Sequence, residues 1–226
     1  MNTSSTRIWD LPTRLFHWLL AASVIALVVT AKMGGNAMEW HLRLGHAVLA
    51  LLVFRILWGL VGGYWSRFTT FTPSPARLLR YLRGQGTASD RNGHNPLGAL
   101  SVWGMLLVLG AQAGSGLFSD DDIAFSGPLT RFVSGDTVGW ATTWHKEWGQ
   151  WLLLALIALH LCAVVFYTVV RRQRMVAAML HGDQPAPAGT RATRDGMVQR
   201  LLALGLAALC AAGAWWIYQL AAAPAF

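Results

Sequence analysis

Two histidines lie inside one long apolar stretch, residues 144–167, at a spacing that suits two metal sites at different depths. His145 and His160 are 15 positions apart, which in an α-helix is a rise of about 22 Å and a difference in direction of about 60°. Because the hydrocarbon core of a bilayer is about 30 Å thick, a spanning helix would hold one histidine in each leaflet. Imidazoles inside a membrane are costly without a partner, and the partner that we predict for both is iron.

The helices that must position these histidines follow from five apolar blocks. The blocks cover residues 14–33, 44–63, 97–118, 144–170 and 199–221, and each is close to the roughly 20 residues that a spanning helix needs. The chain is 54% hydrophobic and 12% charged, against about 25% charged residues in soluble domains. We therefore predict an all-α integral membrane protein, since helices satisfy their backbone hydrogen bonds internally in lipid.

The distribution of basic residues predicts how these helices are oriented. Most Lys and Arg residues lie before the first block, between the second and third, and between the fourth and fifth. Such segments face the cytoplasm, so we expect the N-terminus in the cytoplasm and the C-terminus on the outer side of the membrane. The net charge of +8 is then a topology signal, and nucleic acid is not predicted as a partner.

This orientation brings two further histidines, His17 in the first block and His46 in the second, to the depths of the first two. His17 and His160 would lie on the cytoplasmic side, and His46 with His145 on the outer side. Two imidazoles that face each other from different helices are the ligands of a six-coordinate haem b, so the sequence predicts two haems. Bis-histidine ligation leaves no open position on the iron, which favours electron transfer. Four unrelated structural histidines are the alternative, and zinc is disfavoured because no third ligand clusters at either pair.

Other polar residues in or near the blocks are candidates for binding roles. Arg55 lies well inside the second block, where an unpaired charge costs at least about 2.5 kcal/mol, so we expect a haem propionate, a quinone oxygen or a buried partner beside it. The alternative is that it snorkels to the cytoplasmic face. His94 precedes the third block and would contact a propionate or a quinone, or else be solvated, while Asn95 is expected to cap the third helix. His41 is interpreted as interfacial.

Three segments outside the site carry structural predictions. The stretch after Pro75, ARLLRYLRG, is typical of a short amphipathic helix at the membrane surface, and Thr13 is a candidate cap of the first helix. Residues 183–198 are rich in Pro, Ala and Gly, which indicates a flexible linker. We therefore predict a membrane domain at 1–182, a linker at 183–198 and an accessory transmembrane helix within 199–226.

These residues belong to a wider set of motifs. The set is Trp9-Asp10-x-Pro12-x-Arg14-Leu15-x-His17-Trp18, Gly45-His46, Phe54-Arg55-x-x-Trp58-Gly59, Arg67-Phe68, Gly93-His94-Asn95-Pro96-x-Gly98, Gly127-Pro128, His145 and His160. Over roughly residues 8–182 the chain resembles the bacterial cytochrome b561 family, which includes the b-type cytochrome subunits of nickel-iron hydrogenases. The resemblance implies a four-helix transmembrane bundle with two haems, ligated by His17, His46, His145 and His160. The fifth helix departs from that pattern.

The resemblance also implies a membrane subunit that exchanges electrons with the quinone pool. We expect electron transfer between ubiquinone or menaquinone and a periplasmic carrier such as a c-type cytochrome or a hydrogenase, with Arg55 and His94 as candidate quinone contacts near the cytoplasmic haem. A superoxide:quinone oxidoreductase of the same family is one alternative, although the acidic run Asp120–Asp122 would not attract an anion. A haem-free proton-coupled transporter, with Arg55 and the histidines as a relay, is another.

Overall fold

The computed structural model describes residues 3–87, 90 and 92–220. Five of its helices are long and apolar enough to cross a membrane: Leu11–Met33, Ala37–Val61, Pro96–Gly116, Gly135–Val170 and Met197–Gln219. Large apolar side chains on these helices, such as Ile25, Leu107 and Leu204, are 66–69% exposed, as expected for surfaces that face lipid. The predicted all-α membrane fold with a fifth C-terminal helix is confirmed.

The elements follow one another in a simple chain order. They are β1 (Thr3–Arg7), α1 (Leu11–Met33), α2 (Ala37–Val61), α3 (Phe68–Phe71), α4 (Pro75–Leu82), α5 (Pro96–Gly116), α6 (Gly135–Thr143), α7 (Gln150–Val165), α8 (Met175–His181), β2 (Asp183–Pro187) and α9 (Met197–Gln219). A π-helical segment, Trp144–Gly149, joins α6 to α7, and another, Phe166–Val170, extends α7. The last six residues of the predicted accessory region, 221–226, lie outside the described residues.

The fourth spanning helix begins at Gly135, earlier than the apolar block predicted. Ser134 caps it, because the Thr137 N–H donates a hydrogen bond to the Ser134 Oγ at 3.4 Å. The first turns carry polar residues such as Asp136, so hydropathy alone does not reveal them.

Two helix starts show how local polar residues fix the ends of the spans. Asn95 caps α5 as predicted, accepting a hydrogen bond from the Gly98 N–H at 2.7 Å. The prediction that Thr13 caps α1 is wrong. The cap is Asp10, whose Oδ1 accepts from the Thr13 N–H at 2.9 Å, while the Thr13 hydroxyl bonds Ser66 at 2.8 Å.

The chain divides into two compact units. The first contains the N-terminal residues up to Phe16, Arg55–Met105 and Leu156–Leu204, and the second contains His17–Phe54, Leu106–Ala155 and the chain from Gly205 onward. The second unit therefore holds His17, His46 and His145, and the first holds Arg55, His94 and His160. The domain boundaries expected from the sequence stay a prediction.

In the first unit, the segment predicted to be a flexible linker is structured. Its first residues form β2, which pairs antiparallel with β1 so that Asp183 lies opposite Arg7. The Arg7 Nε donates to the Asp183 Oδ1 at 2.7 Å, and Asp195 lies 3.2 Å from Arg7 and 3.3 Å from Arg200. The flexible-linker prediction is wrong because composition does not reveal the partner strand, which supplies hydrogen bonds and opposite charge.

The short basic helix is present as α4, also in the first unit. Ser74 caps it, accepting from the Arg77 N–H at 3.3 Å, and Pro75 opens its first turn. Leu79 and Leu82 are both exposed, which suits a helix lying on a membrane surface. Its interfacial position stays a prediction.

Candidate functional site

His46 offers one imidazole nitrogen that could hold a metal. Its side chain lies on α2 and is buried, and its Nδ1 is 2.7 Å from the Leu42 carbonyl oxygen. A carbonyl only accepts, so Nδ1 carries the proton and Nε2 keeps a lone pair. That Nε2 is buried and has no hydrogen-bond partner among the residues that the structure describes. A Cβ on the neighbouring Gly45 would meet nothing within 4 Å, so this face of α2 is open to a bulky group.

His145 is held in the same tautomer by α5. Its Nδ1 lies 2.9 Å from the Gln112 carbonyl oxygen and 3.3 Å from the Ser115 hydroxyl, and the Gln112 amide donates to the His145 carbonyl at 2.8 Å. A Cβ on Gly116 would lie 3.0 Å from the imidazole Cε1, so that glycine makes room for the ring. Hydrogen bonds of this kind orient metal-binding histidines and leave Nε2 for the metal.

The imidazole beside His145 is that of His41, which the sequence placed at the interface. Their ring centroids are 6.1 Å apart, with planes at 89°. The His41 Nδ1 lies 3.0 Å from the Leu27 carbonyl oxygen and 3.4 Å from the Thr30 hydroxyl. His41 is thus hydrogen-bonded to α1 and packs against the fourth spanning helix. The sequence, which indicated only an interfacial residue, did not predict these contacts between helices. The 140° divergence that five helical positions imply agrees with His41 and His46 meeting different neighbours.

The π-helical segment Trp144–Gly149 changes the geometry expected for the fourth helix. A π turn holds more residues than an α turn, so the 60° difference in direction between His145 and His160, derived for an unbroken α-helix, does not apply. Such segments are frequent at functional sites. His17 and His160 are both half-buried, they fall in different units, and their pairing stays a prediction.

A second group of polar residues is buried in the first unit, centred on Asp10. Its side chain is 0% exposed. One oxygen accepts from the Trp58 indole N–H at 3.2 Å and from the Thr13 N–H, and the other accepts from the Ser66 hydroxyl at 2.6 Å. These bonds tie the start of α1 to the end of α2. The sequence motif contained both Asp10 and Trp58, but nothing in their spacing indicated that they touch.

Arg55 is buried beside this group. It is 3% exposed, so the alternative that it snorkels to water is wrong. Its guanidinium carbon lies 4.8 Å from the Phe68 ring centroid and 5.9 Å from that of Phe71, and the Asp10 carboxylate attracts it electrostatically. Its Nη1 is buried and donates to no residue in the described part of the chain. A cation held by ring faces, with one donor unused, is suited to bind an oxygen acceptor.

His94 lies in the same environment, packed between aromatic rings. Its ring centroid is 4.7 Å from that of Trp9 and 4.4 Å from that of Phe71. Burial, with the Arg55 charge as a second cause, lowers the pKa of His94 to about 3. Its Nδ1 is buried and unpaired within the described residues, while the residue as a whole is half-buried, so the ring is not fully solvated. We call Arg55 and His94 together the Arg55–His94 cluster; it offers a fixed cation and a neutral imidazole.

Comparison with known proteins identifies relatives over most of the chain. The family model for prokaryotic cytochrome b561 matches residues 8–182. A probable Ni/Fe-hydrogenase B-type cytochrome subunit from Azotobacter vinelandii is 26% identical, covering 77% of this chain and 86% of the relative. The probable Ni/Fe-hydrogenase 1 B-type cytochrome subunit of Escherichia coli (strain K12) is 22% identical, covering 80% and 91%. No solved structure matches the chain.

The matched region includes α1 to α8 and every histidine discussed above, whereas α9 lies beyond it. The hydrogen bonds at Nδ1 of His46 and His145, and the unpaired Nε2 of His46, are compatible with histidines that would hold the iron of a haem b. The chain belongs to the prokaryotic cytochrome b561 family, and it is accordingly a multi-pass membrane protein that binds haem b and transfers electrons.

Proposed function

We propose that this chain is a di-haem cytochrome of the bacterial inner membrane that transfers electrons between the quinone pool and a periplasmic redox partner. The observation that carries the proposal is His46, whose buried Nε2 has no hydrogen-bond partner in the described residues while its Nδ1 is fixed to Leu42. Burying such an atom unpaired is costly, and iron removes the cost. The expected orientation, with a cytoplasmic N-terminus and a periplasmic C-terminus, is part of the proposal.

The four histidines have distinct roles in it. His46 and His145 hold the periplasmic haem, and His17 and His160 hold the cytoplasmic one. Bound haem supplies a reversible one-electron change at the iron. The chain orients the imidazoles of His46 and His145 through the backbone carbonyls of Leu42 and Gln112.

The Arg55–His94 cluster is the proposed quinone contact, for ubiquinone or menaquinone. The unused Arg55 Nη1 donates to a quinone oxygen, and the neutral His94 imidazole accepts or donates one further hydrogen bond. Arg55 lies near the end of α2 and His94 just before the start of α5. The basic residues of the loop between these helices predict that this side faces the cytoplasm. A haem propionate is the other acceptor with suitable chemistry. Quinol oxidation and the haem spectrum, measured together in a variant of the cluster, distinguish the two acceptors. Loss of a propionate contact would change the haem spectrum, whereas loss of a quinone contact would lower quinol reactivity alone.

The periplasmic partner that we propose is a hydrogenase, because the relatives carry the name of Ni/Fe-hydrogenase B-type cytochrome subunits. A c-type cytochrome is the competing partner. Reduction of the purified chain by a hydrogenase under H₂, compared with its oxidation by a soluble cytochrome c, distinguishes them. Reaction with neither protein would contradict a periplasmic electron-transfer role.

Haem counting in two matched variants tests the ligand assignment. We expect about two haems per chain by pyridine haemochrome analysis, and one in His46→Ala. His41→Ala is the matched control, since it removes an imidazole from the same helix and should keep both haems. Loss of a haem in His41→Ala with both kept in His46→Ala would move the ligand to the histidine that the structure places beside His145.

A further inference from the structure

The fifth helix, which the sequence assigned only an accessory role, reaches a proposed haem ligand. The ring of Tyr218, near the end of α9, lies 5.1 Å from the imidazole of His46 between centroids, with the planes at 79°. Trp215, three positions earlier on the same helix face, stacks on Tyr218 at 5.5 Å and 29°. Both aromatic residues lie beyond the segment that the family model matches.

His46 is therefore restrained from two directions. The hydrogen bond from its Nδ1 to Leu42 fixes one edge of the imidazole, but rotation about that bond would still change the plane of the ring. An edge-to-face aromatic contact is directional, so the Tyr218 ring restricts this rotation. The half-buried Tyr218 also fills space next to the His46 imidazole.

We propose that Tyr218 is a positioning residue for His46 and that α9 closes the pocket of the periplasmic haem. The inference rests on the assignment of His46 as a ligand in the proposed function. It gives α9 a role that the family pattern does not contain, because the helix supplies an aromatic wall to a site otherwise formed by α2, α5 and the fourth spanning helix.

The expected consequence of this wall is electrostatic. Oxidised haem carries one more positive charge than reduced haem, and water stabilises that charge better than an aromatic ring does. The environment around an axial ligand thereby tunes the reduction potential of the iron. Removing the Tyr218 ring should admit water and make the periplasmic haem harder to reduce, with little effect on the cytoplasmic haem.

Redox titration of the full-length chain tests the proposal. In Tyr218→Ala we expect the reduction equilibrium of one haem to become about tenfold less favourable, which is about 59 mV for a one-electron couple. The affected haem should be the one that His46→Ala removes. Tyr218→Phe keeps the ring and should titrate like the wild type. Trp216→Ala is the matched control, because Trp216 is 65% exposed on the same helix and should also leave both haems unchanged.

Each outcome decides the matter. Equal titrations of Tyr218→Ala and the wild type would overturn the proposal, and so would a shift in Tyr218→Phe as large as that in Tyr218→Ala. If Tyr218→Ala loses both haems, Tyr218→Asn keeps part of the bulk and places a polar group where the ring was, and it must shift the periplasmic haem alone. Failure of His46→Ala to remove a haem would instead refute the ligand assignment in the proposed function, which is a separate result.

Discussion

Asparagine in place of Asp10 tests whether one buried carboxylate joins α1 to α2. The Asp10 oxygens accept from the Thr13 N–H, the Trp58 indole and the Ser66 hydroxyl at 2.6–3.2 Å, and no part of the side chain is exposed. Asparagine has the same shape but only one acceptor oxygen. At least one of the three donors would therefore face an NH₂ group, and Arg55 would lose the charge that attracts it.

The magnitude follows from the donor that would face the NH₂ group. Asparagine can still cap α1, because its one oxygen can keep the bond from the Thr13 N–H. A buried donor left unpaired costs about 1–3 kcal/mol, so we expect a loss of about 1–3 kcal/mol in the free energy of unfolding.

Thermal unfolding in detergent, followed by intrinsic fluorescence, measures this loss because the chain contains 12 tryptophans. For chains of this size 1 kcal/mol shifts Tm by about 2–4 °C, so Tm should fall by about 2–12 °C. Asp122→Asn is the matched control, since Asp122 is exposed and its φ of 60° is one that asparagine adopts. If Asp10→Asn unfolds at the same temperature as this control, the carboxylate does not hold the two helices together.

Three further perturbations concern the same unit. Because the pKa of His94 falls from 6.5 to about 3 on folding, the unfolded chain binds a proton that the folded chain refuses. The free energy of unfolding should therefore be constant above pH 6.5 and fall by up to about 1.4 kcal/mol per pH unit toward pH 3. Denaturant titrations at several pH values measure it, and His94→Gln should lack this decrease; a decrease as steep as that of the wild type would contradict the prediction. Gly63→Ala should cost about 1–3 kcal/mol, since its Cβ would meet Thr193 and the buried carboxylate, whereas Gly104→Ala, with nothing within 4 Å, should unfold like the wild type. Arg55→Leu should slow quinol-driven haem reduction in proteoliposomes by about tenfold or more, because a charge-assisted hydrogen bond is worth about 1.5–3 kcal/mol; an unchanged rate would place the quinone elsewhere.

The sequence predicted the spanning helices well because hydropathy reports what lipid requires of each segment. It failed where the deciding partner is distant along the chain. The first residues of the predicted linker, Asp183–Pro187, form β2 because β1 offers an edge more than 170 positions away along the chain. The haem-free transporter alternative is also wrong, since the chain belongs to a family of b-type cytochromes, and no property of the isolated Arg55 or of a single histidine could have excluded it.

In the candidate site, the sequence gives information on the depth of each histidine but not on the direction of its side chain. Depth in the membrane follows from counting residues along a helix, because the rise of about 1.5 Å per residue is nearly constant. Direction depends on every turn in between, and the π-helical Trp144–Gly149 alters it at the position of His145. The neighbours of each imidazole then depend on contacts that sequence periodicity does not predict. His41 is hydrogen-bonded to Leu27 and packs against His145, and His46 packs against Tyr218 of α9. The sequence could thus predict how far apart along a helix these histidines lie, whereas the contacts of each one follow only from the folded chain.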